Sequence, residues 1–146
     1  MNLMSVGTDI KITIMNDVAS ANTTSVTPSA PVDMTGFDAV AFIAITGDVT
    51  ATSVITITSY EVASNTNTGG TAIAASAATF TAGATDADLK CLVSELVRPT
   101  TQYAYPVVTR TVANAVINGI IALQYNADKV PVTQVHAIAT ALAARN

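Results

Sequence analysis

Charge is scarce in this sequence. Only 11% of its 146 residues are Asp, Glu, Lys or Arg, against roughly a quarter in an average domain. A monomer so short of charge is poorly solvated unless Thr, Ser and Asn coat its surface or an assembly hides part of it. Tryptophan is absent and aromatics make up 5%, so the core must be thin and built from Val, Ile and Leu. A single cysteine, Cys91, excludes an internal disulfide and fits synthesis in a reducing compartment. One histidine, His136, beside one cysteine leaves too few ligands for a zinc site. The six basic residues (Lys11, Lys90, Arg98, Arg110, Lys129 and Arg145) are scattered and the net charge is −4. No basic stripe exists, which argues against nucleic-acid binding. The longest unbroken apolar run, Ala39 to Ile45, falls far below the about 20 residues of a membrane span. The N-terminus, MNLMSVGTDI, has neither a basic n-region nor a long apolar h-region, so no secretory signal is expected.

What is present points to β-structure. Half of the residues are hydrophobic, much of that half is Ala, and Thr is plentiful, which suits strands and turns better than helices. The length fits one domain, 1–146, with a sandwich body over 34–132, an N-terminal strand and arm over 1–33 and a C-terminal tail over 133–146. Ile10, Ile12 and Ile14 alternate with Asp9, Lys11 and Thr13, which predicts a strand. Residues 16–35 are rich in Ser, Thr, Asn and Pro and read as a long loop or extended arm. Phe37 to Thr46 is apolar on both faces, the mark of a central, fully covered strand. Gly47-Asp48 reads as a turn into Ser53 to Val62, making a hairpin, and a short strand is expected near Ala77 to Thr81.

Asp86 to Val97 fits either structure. Leu89, Leu92, Val93, Leu96 and Val97 have helical spacing, with Thr85 as a cap and Asp88 three residues inside. Its length between a turn and Arg98-Pro99 fits a strand equally. Val97 to Asn126 reads as two strands joined by Val112-Ala113-Asn114-Ala115 in a hairpin, with Asn114 suited to positive φ. Tyr103, Tyr105 and Val107 share a face with Thr109 and Thr111. In the second strand Gly119, Ile121, Leu123 and Tyr125 share another, expected to be buried against Phe37, Ile43, Ile55 or Ile57. On that assignment Leu123→Ala costs about 2–5 kcal/mol. Pro106 removes a backbone donor and predicts an edge or a bulge there. Val135, Ile138, Ala139 and Leu142 suggest a short amphipathic helix that needs a surface to dock on.

Chemistry is hard to find. Cys91 and His136 could form a nucleophile–base pair only if the fold joined them, and nothing in the sequence does. Glu61 and Glu95 each sit mid-strand and read as solvated. Asp86 and Asp88 are a fragment of a calcium loop without its remaining acidic positions or closing Glu. Gly69-Gly70 lacks the following Lys and the strand–loop–helix context of a phosphate cradle. No catalytic, cofactor-binding or metal residue is expected, and no cofactor. By elimination this is a structural or interaction protein.

A resemblance sharpens that reading. Arg98-Pro99-Thr100, Tyr103, Pro106-Val107-Val108, Ala113-Asn114-Ala115-Val116 and Gly119 to Tyr125, followed by Lys129 and Pro131, resemble a group of small tailed-bacteriophage structural proteins. The upstream run Thr35-Gly36-Phe37-Asp38-Ala39-Val40, with a strand and Gly47 after it, resembles them too. The likeness covers roughly Thr35 to Val132; the tail from Thr133 is outside it. It implies a strand before Arg98-Pro99 and an antiparallel, jelly-roll-like sandwich. It implies a virion protein of the capsid decoration or cement type, made in the host cytoplasm and placed on the capsid exterior. Its partners would be the major capsid protein and itself, as a homodimer or homotrimer, with no nucleic acid and no membrane. Asn2 to Asp17, Val18 to Asp33 and Thr133 to Asn146 would be its contact arms, the tail mobile in the free subunit and ordered in the shell. A tail or head–tail connector subunit, a surface adhesin or carbohydrate-binding module and, remotely, a hydrolase are the alternatives.

Overall fold

The computed structural model describes residues 5–137 and 139. After one helical turn, α1 (Val6–Asp9), the chain forms β1 (Lys11–Asn16), β2 (Ala19–Asn22), β3 (Val32–Asp33), β4 (Phe37–Val49) and β5 (Val54–Val62). Next come β6 (Thr71–Ala72), a 3-10 turn over Ala74–Ser76, β7 (Ala78–Thr81), β8 (Cys91–Val97), β9 (Tyr103–Thr111) and β10 (Ala115–Ala127). Two five-stranded antiparallel sheets result. One runs β1-β10-β4-β8, with β2 beside β10; the other runs β3-β9-β5-β6, with β7 beside β5. The pairing is nested. The first strand pairs with the last, β3 with β9, β4 with β8, and β5 with β6 and β7. A long hairpin rolled into two layers has this order, so the fold is an all-β antiparallel sandwich of the jelly-roll type.

That topology corrects both expected hairpins. β4 and β5 lie in different sheets, as do β9 and β10. Their connections cross the sandwich instead of closing a ladder. Gly47 and Asp48 lie inside β4, and the bend follows at Thr52, whose φ is 72°. At the second crossing the left-handed residue is Val112, also at φ 72°, and not Asn114. Alternation fixes where a strand is but carries no record of its partner.

The run before Arg98-Pro99 is the strand β8, and residues 84–89 make bends and turns with no helix. Strand wins over the helical spacing because β4 offers a full ladder, Ile45 opposite Cys91 through Ala39 opposite Val97. Asp88 does not cap a helix; its Oδ1 accepts the Val49 N–H at 2.8 Å. Pro106 sits in β9, inside the sheet between β3 and β5. On the β3 side, Val26 and Val108 exchange N–H···O bonds and Val32 lies opposite Ala104. Pro106 falls between those two pairings, where the partner strand is interrupted. Its missing donor therefore costs no ladder bond.

The core lies between the sheets. Val40, Phe42 and Ala44 of β4 face Ile55 and Ile57 of β5 and Val108 of β9, all fully buried. Phe42 has small neighbours on either side, Ala122 of β10 and Ser94 of β8. Ser94 and Ser59 join the layers through a buried Oγ···Oγ hydrogen bond of 2.7 Å. The expected burial of Ile121, Leu123 and Tyr125 is inverted. Ile117, Ile120, Ala122 and Gln124 of β10 are the buried set, and the other three lie on the outer face with Ile43. Of two register shifts, the one at Ala115/Ile117 puts its extra residue in β4; the one at Ile117/Gly119 puts it in β10 and moves the inward parity of β10 from odd to even. Both faces of β10 are apolar, so the sequence pattern does not reveal the switch.

Candidate interaction surface

The two outer faces of the sandwich differ in chemistry. On the β5–β9 sheet, Thr56 stands between Thr109 and Thr79, Val54 between Thr111 and Thr81, and Thr58 beside Val107. The Thr56 and Thr79 hydroxyls bond each other at 2.8 Å. Val54 and Val107 interrupt this hydroxyl lattice, as do Tyr60 and Tyr105, stacked at 5.3 Å between centroids. It is a solvated face with a small aromatic corner.

The opposite face is aliphatic across four strands. Register places Ile14, Ile121, Ile43 and Val93 in one row, from β1 through β10 and β4 to β8. The row beside it reads Ile12, Leu123, Ala41 and Glu95. Tyr125, Ala39 and Val97 make a third, and Gly119, Ile45 and Cys91 a fourth. Ile14 is 56% exposed, Val93 47% and Val97 56%. β4 was expected to be covered on both faces; among the described residues no sheet covers its outer one. A patch of this kind on one side only marks an interaction surface more often than chance.

Its one polar pair is Tyr125 and Glu95, whose side chains meet across β4. The Tyr125 hydroxyl donates to Glu95 Oε1. Burial, and then this bond to a carboxylate, push the hydroxyl from an ordinary value of 10.0 up to about 12. The folded protein thus holds this proton more tightly than the unfolded chain. The resulting stability is complete below pH 10.0 and is lost as pH rises toward about 12. In an absorbance titration one of the four tyrosines should ionise late, and Tyr125→Phe should remove that step. No late step in wild type, or a late step that survives in Tyr125→Phe, would refute the assignment.

The expected contact arms are largely built into the sandwich. β1, β2 and β3 are sheet members, and Val26, Pro28, Val32 and Met34 are buried. Arg110, only 3% exposed, clamps the loop between β2 and β3. Its Nε donates to Thr24 O at 2.8 Å, and one terminal nitrogen donates to Ser20 O at 2.8 Å and Ala115 O at 2.5 Å. Desolvation lowers its pKa, and backbone carbonyls take the place of a counter-ion. Strand parity with Val108 could have exposed this role, since both point inward; a lone charge in a Thr/Val strand reads first as solvated.

The tail, too, is docked where it is described. Val132 N–H donates to Thr8 O at 2.8 Å. Gln134 Oε1 accepts the Ile12 N–H at 3.0 Å, and its Nε2 donates to Ile10 O at 2.5 Å. His136 Nδ1 accepts the Ile14 N–H at 2.8 Å. Two side chains at alternate positions therefore satisfy alternate backbone groups along the free edge of β1. Ile138 and Leu142, expected to complete a helix, and Asn2, expected in the first arm, lie outside the described residues.

The candidate catalytic residues do not assemble. Cys91 is on β8 and His136 lies outside β1, at opposite edges of one sheet; with β10 and β4 between, about 15–20 Å separates them. Glu61 accepts the N–H and hydroxyl of Thr100, each at 2.8 Å, and Glu95 serves Tyr125 in the other sheet. Asp86 Oδ1 accepts the Gly83 N–H at 2.6 Å in a local turn, whereas Asp88 ties its turn to Val49 at the end of β4. Gly69 has φ 72°, and a Cβ at Gly70 would lie 2.8 Å from the Tyr105 hydroxyl, so this pair serves a tight turn. Among the described residues no three of His, Cys, Asp and Glu gather as a metal site would require. No helix among them is long and apolar enough to cross a membrane.

No family model and no curated protein matches the sequence. Among solved structures, the chain is similar to one titled for infectious bursal disease virus, Gx strain. Identity is 12%, the TM-score 0.48, and the match covers 81% of this chain and 32% of that one. It is also similar to Eiger TNF from S. frugiperda, with 7% identity, a TM-score of 0.36 and 92% of each chain covered. The chain spans about a third of the length of the first. The jelly-roll assignment rests on the strand pairing itself.

Proposed function

We propose that this chain is a non-enzymatic structural subunit of a tailed-bacteriophage virion. It seats its aliphatic sheet face on the outer surface of the capsid and stabilises contacts between capsomers. Its partners are the major capsid protein and further copies of itself. The observation that carries this reading is the row Ile14, Ile121, Ile43 and Val93 with its neighbours, set against the threonine lattice on the other side. A contiguous aliphatic face on an 11% charged chain is the kind of surface that a partner covers. The resemblance across Thr35 to Val132 supplies the class of partner.

Mixing the purified protein with expanded empty capsids of its phage tests the reading. Saturable, stoichiometric decoration is expected. Ile14→Lys combined with Ile121→Lys should weaken it about thirtyfold or more, the scale of a central contact residue. Thr56→Lys and Thr109→Lys on the opposite face should leave it unchanged. Undiminished binding by the first pair would overturn the assignment of this face.

A further inference from the structure

The two edges of the aliphatic sheet are treated differently. That of β1 is occupied by Gln134 and His136. That of β8 is open. Thr46 N–H donates to Lys90 O, and Arg98 N–H to Asp38 O, so the even residues of β8 bond to β4. The N–H and C=O of Cys91, Val93, Glu95 and Val97 must then point away from the sheet. Nothing among the described residues bonds to them. These four residues are exposed, and the strand carries none of the Lys, Pro or bulge devices that keep such edges from pairing.

We infer that β8 pairs antiparallel with β8 of a second copy across a two-fold axis at Val93, joining two aliphatic faces into one continuous sheet. Charge selects the copy and the register. Only residues of like parity can exchange backbone bonds here, which leaves few registers. Centring on Glu95 sets two carboxylates opposite each other. Centring on Ser94 sets Lys90 opposite Arg98 of the second copy. Centring on Val93 sets Val93 opposite itself, Cys91 opposite Glu95 and Val97 opposite Leu89, which is 78% exposed. It also brings each Arg98 toward Asp88 of the other copy, twice by symmetry. Like charges directly opposite are unfavourable and opposite ones favourable, which favours the third register over the first two. This names the surface for the self-association in the proposed function, and it needs no capsid.

Two measurements on the full chain test it. In sedimentation equilibrium, wild type should show a reversible monomer–dimer equilibrium. Val93→Lys, which sets two ammonium groups face to face, should raise its dissociation constant about tenfold or more. Ile14→Lys, on the same face but at the capped edge, should not change it. The second measurement reads the register and does not depend on affinity. Residues opposite each other in a bonded pair have Cα atoms about 5.5 Å apart, within disulfide range. With Cys91→Ser as background, Val93→Cys should oxidise to a covalent dimer, and Glu95→Cys should not. A strict monomer, a trimer, loss of the dimer in Ile14→Lys, or cross-linking at position 95 in place of 93 would each overturn the proposal. None of these outcomes would touch the capsid-docking reading, which the decoration assay decides alone.

Discussion

Arg110→Ala is expected to destabilise the domain by about 3–5 kcal/mol in urea unfolding. Hydrogen bonds from a charged donor contribute about 1.5–3 kcal/mol each, less than additively within one group. Arg110 makes three short ones to the carbonyls of Ser20, Thr24 and Ala115. Those acceptors are backbone atoms and remain after the substitution. Ala115 begins β10, so a core strand and the β2–β3 loop both lose their shared tie. Arg110→Met separates the causes. It keeps most of the volume and sheds the desolvated charge, yet leaves the carbonyls without donors, so it should recover only part of the loss. Hydrogen exchange across residues 17–27 should rise in both variants. A loss below about 1 kcal/mol with exchange unchanged would mean that water can stand in for the guanidinium.

Phe42→Ala should cost a comparable amount, about 3–5 kcal/mol. Phe42 is fully buried between the layers, and its in-sheet neighbours Ala122 and Ser94 are too small to fill the space it leaves. The adjacent Ile43 points outward, so Ile43→Ala should cost the free subunit below about 1.5 kcal/mol. Leu123→Ala should likewise stay small, with the large loss moved to Ile120→Ala. Equal losses for Phe42→Ala and Ile43→Ala would show that the outer face is covered in the free protein and that its aliphatic rows are ordinary core.

This contrast marks how far the residues could be read without coordinates. β1, β4, β5, β9 and β10 follow from alternation or from long apolar runs, and β7 was expected near Ala77 to Thr81 within an Ala- and Thr-rich, weakly patterned stretch. The choice of strand for β8 came from the resemblance and not from periodicity, which favoured a helix. Sheet membership was not legible. From β2 to β5 and from β7 to β10 successive strands alternate between the layers, and a short connection such as Val112 to Asn114 serves a crossing as well as a hairpin. The inward face of β10 was hidden because Ile120 and Ile121 are chemically alike and a bulge between them and Ile117 resets the parity. The candidate interaction surface was hidden for the same reason. An Ile, Val and Leu strand reads as doubly buried whether its second cover is this chain or another. The roles of Gln134 and His136 depend on a pairing more than a hundred residues distant in sequence, beyond the reach of any local pattern.

The bonds from Ile12 and Ile14 to those two side chains also set how many links a subunit can form. A monomer with two reactive ends polymerises by step growth, and two complementary strand edges on one sheet would make this domain such a monomer, adding copy to copy into a fibre. On the proposed pairing β1 is end-capped and β8 reactive, so this sheet has a functionality of one and condensation through its edges would terminate at the pair. A glutamine and a histidine near the end of the chain serve as its chain stopper.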